Sequence, residues 1–283
     1  MITMPKRDSQ AESSPTIVVG VSNPATIPEL MGLAAMVARH RGYQVVATHI
    51  VTVPEQMRLS AARSSPEVAA GSQLLRQAIR EGSEHGIPVR GLVEVAREVH
   101  EGLICAADSQ KAELLLVGHS DIPDAPVGSD KAFDRLMYKL ARGTGADLIV
   151  ARFRRPAIRS ILIPVLRGLN LPVTGRLLKS IIQETDAKVC FIRAIKPDAD
   201  AEDEAQDLAK VLAAHDLDSL GETEILTATD PQAAIIERAN DYDLAIIGAE
   251  RPTIVDAIFG NIAERIASQA ACSALLVRAT RKA

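Results

Sequence analysis

The pattern that most restricts the fold is a set of short apolar runs that recurs along the chain at near-constant intervals. Ile17-Val18-Val19-Gly20-Val21 is echoed by Ile161-Leu162-Ile163-Pro164-Val165 at an offset of 144. Leu114-Leu115-Leu116-Val117-Gly118 is echoed by Leu244-Ala245-Ile246-Ile247-Gly248 at an offset of 130. Apolar runs this short, without polar alternation, read as strands covered on both faces, the mark of a parallel sheet. Between them the apolar residues fall at helical spacing, as in Leu30, Leu33 and Val37 or Leu177, Leu178, Ile181 and Ile182. Two copies of a (βα)4β unit account for nearly everything after residue 15.

Taken in order, residues 1–15 are polar and predict a disordered tail. Val45 to Val51 predicts a second strand, Val89 to Val95 a third and Leu148 to Val150 a fifth; Val68, Leu75 and Ile79, then Val99 and Leu103, then Phe133, Leu136 and Leu140 mark the helices between. Arg152-Phe153-Arg154-Arg155-Pro156 breaks the pattern and places a linker of solvated charge there, with contact to phosphate or an acidic lipid surface as the alternative. The domains expected are therefore 16–154 and 159–283. In the second, strands are read at Lys188 to Ile195, Glu224 to Leu226 and Ala274 to Val277. The acidic stretch Asp198 to Asp207 opens a helix burying Leu208, Val211 and Leu212, and Asp230-Pro231 starts one carrying Ile235 and Ile236. Val255, Ile258, Ile262 and Ile266 form one last helical stripe.

Composition narrows the function. A net charge of −4 with 2% aromatic residues argues against a nucleic-acid binder, which needs a basic face and stacking platforms. Cys105, Cys190 and Cys272 are far apart, without a CxxC or Cys/His cluster, so buried free thiols in a reducing cytoplasm are expected and no metal site. The start of the chain is too polar for a signal peptide, and no apolar run approaches the roughly 20 residues that span a bilayer. A soluble cytoplasmic protein is expected, without membrane insertion.

The stretch from Tyr242 to Gly248, the loop after it, and Phe259-Gly260-Asn261-Ile262-Ala263-Glu264-Arg265-Ile266 through Ala271-Cys272-Ser273-Ala274-Leu275-Leu276-Val277 resemble the carboxyl-terminal third of the universal stress protein family. The tandem arrangement resembles it too. The resemblance implies an α/β fold of two doubly wound parallel five-stranded sheets, order 3-2-1-4-5, of the adenine nucleotide alpha hydrolase-like kind. From βαβ handedness alone that order is one of several.

The family's nucleotide loop has the form Gly-x2-Gly-x9-Gly-(Ser/Thr), running from the fourth strand into the fourth helix. Gly248 fills the first place, Arg251 the second, Gly260 the third and Asn261 the hydroxyl place, with a gap of 12 where the pattern has 13. Adenine and ribose would lie over the end of the first strand, at Val165 in the second half. The Asp that commonly follows that strand is replaced by Ser22 in the first half and Leu166 in the second. In the first half Gly118 is followed by His119, Ser120 and Asp121, and Asp121 would repel a phosphate. Gly128-Ser129 completes the spacing from Gly118, but aligning the final strands at an offset of 127 sets Phe133 and Asp134 opposite Gly260 and Asn261. Gly128-Ser129 then reads as a helix cap. Arg251 could offer a charged fork and Asn261 an amide donor; as ordinary residues they are a solvated loop arginine and a helix cap.

The six histidines are scattered, and none has acyl-transfer spacing to a Ser or Cys. His49, inside a strand, reads as a satisfied histidine, and His119 is the one at a strand's carboxyl end. The expectation is a non-catalytic regulator acting through protein contacts, with adenine-nucleotide binding (ATP or AMP) weak or lost. The alternative is a sensor of ATP, AMP or a cyclic dinucleotide using the second loop; a weaker reading is ATP hydrolysis. Degenerate tandem copies in the family resemble cytoplasmic modules of transporters, which implies a transporter or membrane-complex partner. The apolar edge strands Leu148 to Val150 and Ala274 to Val277 are expected to pair within the chain as a pseudo-dimer, with a homodimer as a further expectation.

Overall fold

The repeated runs form strands at the spacing that the offsets demand. The computed structural model describes residues 14–57, 66–119, 129–165, 170–248 and 269–280, with backbone alone for 129–134. The first half contains β1 (Thr16–Gly20), α1 (Ile27–Arg41), β2 (Gln44–Thr52), α2 (Pro66–Glu84), β3 (Val89–Ala96), α3 (Val99–Ser109), β4 (Ala112–Gly118), α4 (Ser129–Gly143) and β5 (Asp147–Arg152). The second contains β6 (Ser160–Pro164), α5 (Leu171–Thr185), β7 (Lys188–Ile195), α6 (Ala201–Ala213), β8 (Glu222–Thr227), α7 (Pro231–Ala239), β9 (Leu244–Gly248) and β10 (Ser273–Arg278). The stripe Val255, Ile258, Ile262 and Ile266 lies outside the described residues.

Local chemistry starts and stops these elements. The Asp200 carboxylate accepts from the amides of Glu202 and Asp203, and Asp230 from those of Gln232 and Ala233, each satisfying orphan donors of a first helical turn. Gly42 ends α1 in the left-handed region, φ 69°, and its amide returns to the Ala38 carbonyl.

Each half has the order 3-2-1-4-5, but they form one sheet: β3-β2-β1-β4-β5-β10-β9-β6-β7-β8. Within a half every pairing is parallel. At the junction β5 and β10 run antiparallel, from Leu148 opposite Arg278 to Arg152 opposite Ala274. The two edges that would otherwise expose unpaired backbone thus satisfy each other. Leu148 is paired with Leu115, and Ala274 with Ala245. The final strands therefore correspond at an offset of 126, one residue from the 127 expected, because matching apolar letters shifts a strand whose register the neighbouring strand fixes.

The antiparallel junction acts as a local two-fold axis normal to the sheet. On one face α1, α2, α5 and α6 cover a single core running from Ile17 and Val45 through Ile149 and Val277 to Phe191 and Leu212. On the other face the halves keep separate cores, one under α3 and α4, one under α7. Arg39 on α1 donates from Nε and Nη2 to the Glu184 carboxylate on α5 at 3.0 and 2.9 Å. Asp147 at the head of β5 accepts from Arg176 on α5 and from the Thr280 amide.

Small residues, more than the apolar ones that located the helices, make some of the buried faces. Val99 and Ile79 are exposed at 40% and 37%, and α2 instead buries Gly71, Leu75, Ala78 and Gly82. The glycines allow close approach: a Cβ on Gly71 would stand 2.3 Å from the His49 ring, and one on Gly82 2.2 Å from a Val89 methyl. Cys105 is exposed, not buried, because α3 turns Leu103, Ala106 and Ala107 inward. Cys190 and Cys272 are buried.

Candidate functional site

In a doubly wound sheet ligands settle where the connections leave a strand in opposite directions, outside the carboxyl ends. That point lies between β1 and β4 in the first half and between β6 and β9 in the second. Since β5 and β10 are antiparallel, the two crevices open on opposite edges of the sheet.

In the first crevice Ser22 is exposed just beyond β1, and His119 follows β4. The Val21 amide donates to Thr48 O, and the His119 amide to Ala151 O, at 2.8 and 2.7 Å. His49 Nδ1 lies 2.8 Å from the Val21 carbonyl, so this histidine ties β2 to the chain leaving β1. Leu30 of α1 lies over Gly118: a Cβ there would stand 2.9 Å from Leu30 Cδ1, and Leu30 is fully buried. The bare glycine is thus filled by an aliphatic side chain of the protein itself.

The second crevice repeats this plan with different side chains. The Val165 amide donates to Ile192 O at 2.8 Å, and Arg193 Nε donates to the Val165 carbonyl at 3.3 Å. Arg193 stands 144 residues after His49, as Val165 does after Val21. Sequence reading has His49 as a satisfied histidine, as its contact with the Val21 carbonyl bears out, but does not single out Arg193. Its signal is there: one large polar residue at the same place in two otherwise apolar strands. Gly248 is covered by Asn170, the residue preceding α5; a Cβ on Gly248 would stand 3.0 Å from Asn170 Cβ. Asn170 Oδ1 accepts from the Ala279 amide at 3.0 Å, which fixes the side chain across the ends of β9 and β10.

Beside this crevice an open cleft of about 530 Å³ is lined by Arg193, Lys196, Asp198, Glu204, Asp207 and Pro231. The volume suits a small ligand. Its charge does not suit a phosphate. Arg193 Nη1 already donates to Glu204 Oε2 at 2.9 Å and Asp207 Oδ2 at 2.7 Å, so the guanidinium is committed to two carboxylates.

Of the predicted site residues, Ser22, Gly118 and His119 meet at the first crevice, and Val165 and Gly248 at the second. Ser129 is the first residue of α4, with its side chain not described. Ser120, Gly128, Leu166, Arg251, Gly260 and Asn261 lie outside the described residues.

Two of the three thiols, Cys190 and Cys272, are held back from nucleophilic chemistry. Burial pushes the Cys190 thiol up, and the nearby Glu224 carboxylate adds to it. Burial likewise raises Cys272, against the opposing positive field of Arg154 and Arg155. Tyr242 is raised by burial and by its hydrogen bond with Cys190. Among the described residues, no group of three His, Cys, Asp or Glu side chains could hold a metal ion.

The universal stress protein family model matches residues 14–129 and 183–278. No curated protein matches the chain. Among solved structures, a universal stress protein from Archaeoglobus fulgidus DSM 4304 is similar over 93% of this chain and 96% of its own, with 10% identity and a TM-score of 0.65. A functionally unknown protein from Pseudomonas aeruginosa PAO1 is similar over 95% and 94%, with 17% identity and a TM-score of 0.61. The cytoplasmic domain of a prokaryotic cation chloride cotransporter is similar over 94% and 96%, with 13% identity and a TM-score of 0.59.

Proposed function

The chain belongs to the universal stress protein family, and from that premise we propose that it is a non-catalytic stress-response regulator. It acts through protein contacts, with adenine-nucleotide binding weak or lost. We divide it into domains at 16–154 and 159–283, joined as a pseudo-dimer by β5 and β10.

The observation that carries this reading is that the chain's own side chains press on both strand-end glycines, Leu30 on Gly118 and Asn170 on Gly248. A nucleotide gripped by backbone amides needs those glycines bare, so that a phosphate can come close. The neighbouring fasteners, His49 and Arg193, engage the carbonyls of Val21 and Val165 beneath the place where a ribose would rest. The carboxylates of Glu204 and Asp207 add a repulsive field on the second side. Removing one charge-assisted hydrogen bond from such a site costs on the order of 1.5–3 kcal/mol. Removing two or three takes a roughly micromolar site toward millimolar.

Two buried thiols held protonated by desolvation, and scattered histidines, fit a protein without turnover. No helix among the described residues is long and apolar enough to cross a membrane, and the cytoplasm is the compartment we propose. The partner is a protein, with a transporter or membrane complex as the first candidate. The cotransporter's cytoplasmic domain has this fold in a membrane protein's service, which is compatible with that partner.

Thermal-shift titration with ATP, AMP and a cyclic dinucleotide tests the reading. A ligand at 100 times its dissociation constant stabilises by about 2.7 kcal/mol. At about 1 mM ligand, near the weakened dissociation constant, a stabilisation of no more than about 0.4 kcal/mol is expected. A clear shift, abolished by Arg251→Ala, would replace the reading with a nucleotide sensor acting through the second loop.

A further inference from the structure

The connector between β5 and β6 carries Arg154, Arg155 and Arg159 directly after Arg152, four arginines in eight residues of a chain whose net charge is −4. Sequence alone reads it as a solvated linker, but its backbone is anchored. The amides of Arg154 and Arg155 both donate to Ser273 Oγ at 3.0 Å. The amides of Arg159 and Ser160 donate to Asp243 Oδ2 at 2.9 and 3.2 Å. Phe153 and Ile158 pack against the shared core. Both ends of the connector are thus held by the second half, while Arg155 and Arg159 are exposed. Among the described residues no carboxylate lies within ion-pair distance of these two guanidinium groups. Asp243, the residue before β9, accepts from the backbone amides of Arg159 and Ser160 and from the Ser160 hydroxyl.

We propose that this connector is a docking site for phosphate oxyanions, with Arg155 and Arg159 as its outward ligands, presented by a soluble oligophosphate or by anionic phospholipid headgroups. Guanidinium forks match phosphate oxygens in bidentate geometry, and the connector has no lysine to act as a bare point charge. A phosphate group offers several oxygens to guanidinium donors. An acidic peptide offers single carboxylates on a backbone that would need a groove. The anchoring supplies preorganisation, since little of the connector's backbone is left to order on binding. The site is independent of both crevices and of the reading proposed for them.

The test uses the full chain with sodium tripolyphosphate in calorimetric titration, and with phosphatidylglycerol or phosphatidylcholine vesicles in cosedimentation. Saturable binding is expected to tripolyphosphate, to phosphatidylglycerol vesicles, or to both, which identifies the source. Affinity should fall steeply with added salt and drop at least tenfold in the Arg155→Glu, Arg159→Glu double variant. The Arg155→Lys, Arg159→Lys variant, which keeps the charge, should lie between the two. Unchanged thermal midpoints in both variants check that the fold is intact. The proposal is overturned if neither probe binds or if the double variant binds as the parent does. It is equally overturned if a polyglutamate peptide binds as tightly, or if binding survives in the double variant and is lost in Arg251→Ala.

Discussion

Ile149 is the residue through which the unity of the sheet can be measured. It lies at 1% exposure on β5, opposite Val277 of β10 at 0%, inside the core that both halves share. Ile149→Ala deletes a buried aliphatic side chain that β5 and α-helical neighbours on one face cannot easily refill. Such deletions cost about 2–5 kcal/mol, from the reduced burial plus the residual cavity. At about 2–4 °C per kcal/mol for chains of this size, the midpoint should fall by roughly 4–20 °C. If the junction makes one cooperative unit, calorimetry gives a single transition moved down as a whole. Hydrogen exchange should then quicken in β9, β10 and α5 as well as in β4 and β5. Two transitions with only the first displaced, or faster exchange confined to residues before 153, would refute the reasoning.

Other outcomes follow from the same packing. At pH 8 a disulfide-exchange reagent should titrate one thiol, Cys105, in the native protein and three after denaturation; early reaction of Cys190 or Cys272 would contradict their burial. The Cys190, Cys272 and Tyr43 values are all raised, chiefly by burial, so as pH climbs past the ordinary thiol value of 9.0 the unfolded chain releases protons first. Denaturant midpoints should therefore fall with rising pH above about 9, and a flat profile there would be inconsistent. Glu184 is held below its ordinary 4.5, first by the Arg39 hydrogen bond, so its contribution is present above that value and fades as pH falls through the lowered one. Because that pair is solvent-exposed, Arg39→Ala should change stability by under about 1 kcal/mol at pH 7. Asn170→Ala strips the acceptor from the Ala279 amide and should cost about 1–3 kcal/mol by chemical denaturation.

The fold was legible because its message is repetitive. Ile17 to Val21 and Leu114 to Gly118 each occur twice, and a strand buried on both faces needs no fine detail to be recognised. Pairing of β5 with β10 was also within reach, because two apolar edge strands must find partners. What escaped depended on small residues and on register. α2 faces the core with Gly71, Ala78 and Gly82, which carry too little apolar surface to mark a stripe; Val68, Leu75 and Ile79 located the helix, but Ile79 lies on its exposed side. Val99 does begin α3 as read, but it is exposed, since Ala106, Ala107 and Gly102 set the buried face. At the crevices the sequence spelled out which glycines remain, Gly118 and Gly248, but not that Leu30 and Asn170 lie over them. Those pairs join residues 88 and 78 positions apart and leave no local pattern. His49 and Arg193 were readable in principle, as a shared position in the repeat, but their chemistries differ and only geometry shows that each engages the equivalent carbonyl.

Whether the filled crevices exclude a nucleotide is decided most directly by native mass spectrometry of the freshly purified full chain, followed by calorimetric titration with ATP. The bare protein mass is expected, with no saturable heat below about 1 mM ligand, the range in which a site short of two or three charge-assisted hydrogen bonds falls. ATP or AMP carried through purification at one per chain, or a micromolar dissociation constant, would overturn the reading of both crevices as closed.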